Sequence, residues 1–287
     1  MLRSLKRLVP RRIRKHAWRA RWLTTTEAYH KQPSVAALKV LWFTAREVVS
    51  SEIGFRAGPF RFVSMSNNVS SLVACIEGSR DPSIDRLLRK RLAPGGVFCD
   101  VGANIGTYTI PASALVGDRG KVLAFEPHPR TLSYLQRNVA LNGAANVVII
   151  GKALGSEAGS VTLVFDPGNA GETHVKRSAG ETGIAVDVTT LDEELHALGV
   201  DRVDYLKIDV EGFELSVLHG ASRTITANPA MMIQLEMVAG HAAEYGVRLD
   251  DVSAFLRSYG LTAHTVTSDG DLVPASGFNG EIVWTRF

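Results

Sequence analysis

Cysteine is scarce in this chain, and long apolar runs are absent from it. The two cysteines, Cys75 and Cys99, are too few for a disulfide framework, which favours a reducing compartment. There is no run of eighteen apolar residues that would predict a membrane-spanning helix, and the N-terminus lacks the apolar core of a secretory signal. Hydrophobic residues make up 45% and charged residues 21%, which is typical of a globular protein. We therefore expect a folded, cytoplasmic protein with a sizeable core.

Acidic residues are absent from residues 1–22, which contain nine lysines and arginines. The rest of the chain holds 23 basic and 29 acidic side chains, so it is net acidic although the whole chain has a net charge of +3. Apolar residues recur in residues 1–22 at roughly helical spacing, which predicts a basic amphipathic segment lying on an anionic membrane surface. A solvated tail or a helix packed on the domain is the alternative. Nucleic-acid binding is not expected, because the positive charge is confined to one end.

The sequence pattern divides the chain into a basic segment, a helix and β-hairpin extension, and a main domain, which comprise residues 1–22, 23–80 and 81–287. In the extension, residues 24–50 are expected to be helical. The apolar face of that helix is expected to consist of Ala36, Ala37, Val40, Leu41 and Phe43. Two apolar runs, Phe60–Val63 and Leu72–Ile76, predict the strands of the hairpin.

In the main domain, short apolar strands alternate with helical segments, which predicts a mostly parallel sheet covered on both faces. The candidate strands are Val97–Val101, Val122–Phe125, Val147–Ile150, Tyr205–Val210, Met231–Met237, Leu261–Thr267 and Glu281–Thr285. The candidate helices are residues 105–116, 130–142, 213–227 and 249–259. Residues 152–190 interrupt the alternation, and we interpret them as a flap over the site. A ligand of such a sheet is expected at the carboxyl ends of its strands.

Two motifs follow the first two strands of this sheet. Asp100–Gly106 reads Asp-Val-Gly-Ala-Asn-Ile-Gly, a glycine-bearing turn whose acid suits the ammonium or sulfonium of an amino-acid-bearing nucleoside better than a pyrophosphate. A purely structural strand-to-helix turn is the alternative. Glu126 ends the second strand, where an acid is expected to accept the two ribose hydroxyls of a nucleoside. Together the two motifs predict a nucleoside cofactor.

A cluster of acids follows the next two strands. Asp209 and Glu211 are delivered two residues apart by one strand, and Glu236 lies at the end of the following one. These carboxylates could act as a base, polarise a substrate hydroxyl or hold a divalent cation. Alternatively, one or more of them caps the next helix.

The motifs resemble those of the FkbM-type family of S-adenosylmethionine-dependent methyltransferases across roughly residues 80–238. The resemblance is carried by Asp100–Thr109, Phe125–Pro127, Asn138, Leu141–Asn142, Thr190–Asp192 and Lys207–Glu214. It implies a class I methyltransferase fold, a Rossmann-like α/β/α arrangement in three layers with a seven-stranded, mostly parallel sheet whose last strand is antiparallel. It also implies O-methylation by S-adenosylmethionine of a hydroxyl-bearing acceptor, commonly a sugar, glycolipid or natural product.

The resemblance assigns roles to individual residues. The implied cofactor-binding residues are Asp100, Gly102, Ala103, Asn104, Gly106, Glu126, Pro127, Ala153 and Asp209. Among them the acid–glycine turn holds the methionine end, Glu126 the ribose and the surroundings of Ala153 the adenine. Because an aliphatic hydroxyl is a poor nucleophile, a base is expected, and Asp209 and Glu211 are the candidates. His128 and His174 are alternatives, although a surface position is the usual reading of each.

Two other classes of protein share parts of this pattern. A nicotinamide-dependent oxidoreductase would use a similar sheet, but its turn should carry glycine in place of Asn104 and lack Asp100. A non-catalytic membrane-surface adaptor with the same fold would be expected to have lost its acids. Since the acids are present, an active enzyme is favoured.

Overall fold

The computed structural model describes residues 18–165 and 173–286, so residues 1–17 of the predicted basic segment lie outside the described residues. Residues 18–23 are helical. The extension continues with α1 (Glu27–Lys31), α2 (Pro33–Val49), β1 (Glu52–Ala57), β2 (Phe60–Met65) and α3 (Val69–Glu77). None of the helices in the described part of the chain has the length and apolarity of a membrane span.

The extension contains a hairpin, and one of its two predicted strands is correct, since Phe60–Val63 lies within β2. β1 and β2 pair antiparallel, whereas Leu72–Ile76, predicted as a strand, lies inside α3. The side chain of Asn68 accepts the N–H of Ser71 at the start of α3, and Gly78 ends the helix in a left-handed conformation. The helix prediction for residues 24–50 is correct over Glu27–Lys31 and Pro33–Val49, whereas residues 24–26 form a turn and Gln32 interrupts the helix. One position of the predicted apolar face is wrong, since Leu41 is 66% exposed.

Two asparagines of the main domain hold this hairpin through its backbone. The side-chain amide of Asn138 accepts the N–H of Val63 at 2.7 Å and donates to its carbonyl at 3.0 Å. Asn142 makes the same pair of bonds to the N–H and carbonyl of Arg61, at 3.0 and 2.7 Å. Each amide group therefore pairs with β2 as a peptide group of a neighbouring strand would.

The main domain alternates strands and helices. Its strands are β3 (Val97–Val101), β4 (Lys121–Phe125), β5 (Val147–Ile150), β6 (Ala153–Leu154), β7 (Gly159–Phe165), β8 (Thr173–Val175), β9 (Ile184–Thr189), β10 (Tyr205–Ile208), β11 (Met232–Met237), β12 (Thr262–Val266), β13 (Leu272–Pro274) and β14 (Gly280–Thr285). Its helices are α4 (Pro82–Arg91), α5 (Thr109–Val116), α6 (Pro129–Leu141), α7 (Leu191–Ala197), α8 (Glu214–His219), α9 (Ser222–Ala227), α10 (Ala239–Ala243) and α11 (Leu249–Ser258).

The main sheet has the strand order β13-β12-β14-β11-β10-β3-β4-β5. β5, β4, β3, β10 and β11 run parallel, and β14 lies antiparallel between β11 and β12, as predicted for the last strand. The sheet has eight strands, where seven were predicted. The additional strand, β13, pairs antiparallel with β12 at the edge of the sheet.

Apolar side chains pack on both faces of this sheet, which makes three layers. Successive residues of β3 point to opposite faces of the sheet. Phe98 packs with α4 and α5 on one face, and Cys99 packs with α7, α8, α9 and α11 on the other. The helix predicted over residues 213–227 is divided into α8 and α9 at Gly220. A Cβ at Gly220 would clash with the carbonyl of Gly155, so the chain has room there only for glycine.

Residues 152–190 form a second sheet of four strands, in the order β6-β9-β7-β8. The strands predicted at Val161–Phe165 and Ile184–Val188 correspond to β7 and β9. The connection between β7 and β8, residues 166–172, lies outside the described residues. Leu163, Thr173 and Val175 line the cavity described below, so the second sheet borders the site as the flap interpretation predicted.

Candidate active site

A cavity of about 250 Å³ lies at the edge of the main sheet where β4, β3, β10 and β11 end. The strands are parallel, so the residues that follow them meet at this edge. The predicted site residues that line the cavity are Gly102, Asn104, Glu126, Pro127, Ala153, Asp209, Glu211 and Glu236. Asp100, Ala103 and Gly106 are not among the described residues that line it.

Glu126 follows β4 directly and is almost completely buried. Its Oε2 accepts the N–H of Asn104 and its Oε1 accepts the N–H of His128, each at 3.0 Å. Burial raises the pKa of Glu126 to about 7, although the two N–H donors act in the opposite direction. Each oxygen keeps one acceptor position, so the carboxylate can receive two further hydrogen bonds side by side.

The turn after β3 is shaped by contacts within the protein. Gly102 has φ +76°, and a Cβ there would clash with the carbonyl of Asp209 at the end of β10. Asn104 is also left-handed, with φ +52°, a conformation that asparagine adopts more readily than most residues. The glycine therefore allows the turn after β3 to approach the end of β10 closely.

Asp100 forms a buried ion pair beneath this turn. Its Oδ2 accepts the hydroxyl of Thr109 at 2.6 Å, and its Oδ1 lies 3.2 Å from Nζ of Lys207. Lys207 donates to the carbonyl of Gly102 at 2.9 Å and lies 3.6 Å from Oδ2 of Asp209. Burial lowers the pKa of Lys207, but the charges of Asp100 and Asp209 outweigh it and raise the pKa. Asp100 thus has a cation of the protein as its partner, and a direct contact with the cofactor stays a prediction.

Asp209, Glu211 and Glu236 each bring a carboxylate oxygen to within 4.8 Å of the others. Burial raises the pKa of Asp209, but the charge of Lys207 and a hydrogen bond with Glu236 outweigh it, so this pKa lies below its ordinary value. The charge of Asp209, together with burial, raises the pKa of Glu236 well above its ordinary range. At neutral pH Asp209 is ionised and Glu236 carries a proton. By spacing the three acids could hold a cation, but the proton on Glu236 and the charge of Lys207, 3.6 Å from Asp209, reduce their negative charge.

Glu211 occupies a left-handed conformation, φ +56°, that is uncommon for a residue with a side chain. Its Oε2 lies 2.9 Å from Nδ1 of His241, a residue of α10 that also lines the cavity. Arg177 donates to the Glu211 carbonyl at 2.9 Å and supports the turn from the second sheet. A strained turn held from several sides is common at functional sites.

The two histidines proposed as alternative bases are positioned elsewhere. His128 and His174 are both buried, so the reading of each as a surface histidine is wrong. The His128 ring packs 5.2 Å from that of Phe165, and burial lowers its pKa. The His174 ring faces Glu181 at 3.5 Å. Neither is among the described residues that line the cavity.

Several cavity residues carried no sequence signal. His241 follows β11 by four residues and belongs to no motif, and Arg80 comes from the extension. Burial lowers the pKa of Arg80, but the surrounding groups, Tyr108 and Asp209 foremost, raise it overall. Lys152 also lines the cavity and forms an ion pair with Glu194 at 2.7 Å. Lys152 belongs to the surroundings of Ala153 that the resemblance assigned to the adenine, so, unlike His241 and Arg80, it had a sequence signal.

The family model described as "Methyltransferase FkbM domain" matches residues 100–261. The hexuronic acid methyltransferase AglP of Haloferax volcanii is 27% identical over 196 residues, covering 68% of this chain and 75% of the relative. The 31-O-demethyl-FK506 methyltransferase FkbM of Streptomyces tacrolimicus is 29% identical over 201 residues, covering 60% and 74%. Methyltransferase sdnD of Sordaria araneosa is 32% identical over 152 residues, covering 42% of this chain and 58% of the relative.

Solved structures are similar at lower identity. The precorrin-6y C5,15-methyltransferase of Geobacter metallireducens has 19% identity and a TM-score of 0.42, covering 70% of this chain and 84% of that one. A SAM-dependent O-methyltransferase of Thermotoga maritima has 14% identity and a TM-score of 0.40, covering 71% and 63%.

Proposed function

Because the chain belongs to the FkbM family of S-adenosylmethionine-dependent methyltransferases, we propose that it methylates a hydroxyl group of a sugar, glycolipid or natural-product acceptor. The observation that carries the proposal is the convergence of Glu126, Asp209 and Glu211 on one cavity. The family assignment replaces the nicotinamide-dependent oxidoreductase and the non-catalytic adaptor as alternatives.

The cavity suits the cofactor in its charge and in its hydrogen-bonding groups. Glu126 has two acceptor positions side by side, which match the two adjacent hydroxyls of a ribose. Gly102 and Asn104, in the turn after β3, also line the cavity and would hold the methionine end, and Pro127 and Ala153, which follow β4 and β5, would border the adenine. When bound, S-adenosylmethionine supplies an electrophilic methyl group.

The catalytic part of the proposal concerns Asp209, Glu211 and His241. Oε2 of Glu211 lies 2.9 Å from Nδ1 of His241, and its negative charge favours a proton on that nitrogen, so Nε2 would be the ring nitrogen that accepts a proton. His241 would accept the proton of the acceptor hydroxyl when that oxygen takes the methyl group that S-adenosylmethionine would supply, and S-adenosylhomocysteine would be the leaving group. Asp209 stays ionised and orients the hydroxyl. Positioning of this kind contributes up to about 7–11 kcal/mol in favourable cases.

The acceptor class is supported by the names of two relatives, which refer to a hexuronic acid and to 31-O-demethyl-FK506. The cavity of this chain adds two cationic side chains, Arg80 and Lys152, to its acids. A mixed polar lining of this kind suits a hydroxyl-rich acceptor, since each hydroxyl both donates and accepts hydrogen bonds.

Calorimetric titration with S-adenosylhomocysteine tests the cofactor site. Glu126→Gln should weaken binding about tenfold or more, because the ionised acceptor of two hydrogen bonds is lost. The exposed Glu157→Gln is the matched control and should bind as the unaltered protein does. Equal affinity in both variants would contradict the assignment of Glu126, and heat with NAD in place of S-adenosylhomocysteine would contradict the cofactor class.

A turnover assay on a panel of glycosides and hydroxylated natural products tests the catalytic residues. His241→Ala and Glu211→Gln should lower kcat about a hundredfold or more, as expected for loss of a general base, with cofactor affinity retained. His196→Ala removes an exposed histidine and is the control. If His241→Ala keeps full turnover on an acceptor that the unaltered protein methylates, His241 is not the base.

A further inference from the structure

Helix α2 exposes apolar side chains along much of its length. The docking face, as we call it, consists of Val35, Leu38, Leu41, Trp42, Val48 and Val49, whose exposed fractions range from 44% to 80%. At 3.6 residues per turn, these six positions project within an arc of about 140°. Ala36 and Phe43 lie on the opposite side and are buried. The helix therefore packs on the protein with one face and presents a second apolar face outward.

Acidic groups are missing from this outward face. The one acid of α2, Glu47, is 6% exposed and is paired with Arg19 at 2.7 Å. Lys39 turns inward and donates to the carbonyls of Cys75 and Ile76, while Arg46 is exposed. Residues 1–50 as a whole contain twelve lysines and arginines and two acids. An apolar face without exposed acids thus belongs to a strongly basic part of the chain.

We propose that the docking face of α2 binds an anionic membrane surface, with α2 lying in the plane of the lipid headgroups. Exposed leucine and tryptophan side chains beside basic residues are what such surfaces bind. The ion pair of Arg19 ties residues 18–23 to α2, and these residues add Trp18, which is 46% exposed and stacked on Trp22 at 5.8 Å. Tryptophan is enriched at membrane interfaces.

Charge decides against a second copy of the chain as the occupant. A symmetric dimer through this face would bring together two copies of the described segment 18–50, which contains five lysines and arginines and two acids and so carries a net charge of +3. An anionic lipid surface has headgroups of the opposite charge for the basic residues and an apolar interior for the exposed leucine, valine and tryptophan side chains. The proposal extends the membrane prediction for residues 1–22 to a defined face of a described helix, and it does not depend on the methyl-transfer proposal.

Co-sedimentation with phospholipid vesicles tests the proposal on the full chain. The protein should bind vesicles of phosphatidylcholine with 30% phosphatidylserine, and it should bind pure phosphatidylcholine more weakly. Leu38→Ser/Leu41→Ser should weaken binding to the anionic vesicles about tenfold or more, because both leucines are about two-thirds exposed and would insert. Leu141→Ser/Leu198→Ser, which alters two exposed leucines elsewhere, should bind as the unaltered protein does.

Both double variants change exposed side chains, so each should keep its fold and its affinity for S-adenosylhomocysteine. Equal vesicle binding by the two double variants would overturn the proposal, and so would the absence of vesicle binding by the unaltered protein. A dimer in solution that Leu38→Ser/Leu41→Ser dissolves would also overturn it and would identify a second copy as the occupant.

Discussion

Replacing Lys207 by methionine should destabilise the protein strongly. Lys207 is 3% exposed and Asp100 has no exposed surface, so the substitution leaves the Asp100 carboxylate without a neighbouring cation in a buried position. It also removes the bond from Nζ to the Gly102 carbonyl. Removing one partner of a buried ion pair costs about 3–5 kcal/mol of unfolding free energy, and we expect a loss in that range.

The chain provides a matched control for this prediction. Lys90 and Asp271 form an ion pair that is shorter, at 2.6 Å, but 45% and 66% exposed. Lys90→Met should cost less than about 1 kcal/mol, because exposed pairs are solvated and screened. Asp100→Asn combined with Lys207→Met should recover part of the lost stability, since the buried charge is then absent.

Urea unfolding at pH 7.5, followed by far-ultraviolet circular dichroism, measures these differences at constant m-value. The comparison separates burial from distance, because the shorter pair is the exposed one. If Lys207→Met costs no more than Lys90→Met, the ion pair beneath the glycine turn does not have the electrostatic role assigned to it.

Three further predictions concern protonation and metals. The affinity for S-adenosylhomocysteine, measured by calorimetry, should rise about five- to tenfold from pH 6 to pH 8. The reason is that Glu126, with a pKa of about 7, accepts the ribose hydroxyls when it is ionised, so Glu126→Gln should show no such rise. Burial raises the pKa of Glu214 to about 7, so the folded chain keeps this proton between about pH 4.5 and 7 and loses stability as the pH rises through that window. In thermal unfolding, Glu214→Gln should therefore have the same unfolding free energy as the unaltered protein at pH 4.5 and a higher one, by up to about 3 kcal/mol, at pH 8. A variant that is more stable than the unaltered protein already at pH 4.5 would contradict this direction. Dialysis against a chelator should leave turnover unchanged, because Lys207 and the proton on Glu236 reduce the negative charge of the three clustered acids. A loss of turnover that magnesium restores would show that a cation is needed.

The sequence predicted those parts of the site that follow directly from strand ends. Glu126, Asp209 and Glu236 each come at or just after an apolar run, and parallel pairing brings such positions together without further information. The antiparallel last strand followed from the family resemblance. The additional strand β13 could not be predicted, because three residues at a sheet edge give too short a pattern.

Other features depended on contacts that the local sequence does not encode. Leu72–Ile76 is an apolar run of a length that suits either a strand or a buried helix, and its caps Asn68 and Gly78 were the signal that favoured the helix. His241 reaches Glu211 only because α10 folds back over the end of β10. The asparagines Asn138 and Asn142 were recognised as part of a motif, but their bonds to the hairpin became visible only in the structure.

Asn138 and Asn142 attach the hairpin to the main domain through bonds to its main chain and not to its side chains. Both amides engage main-chain groups of Val63 and Arg61, which every residue except proline provides. These four bonds therefore do not depend on which side chains positions 61 and 63 carry. Substitutions of Arg61 or Val63 other than to proline should leave this part of the attachment in place.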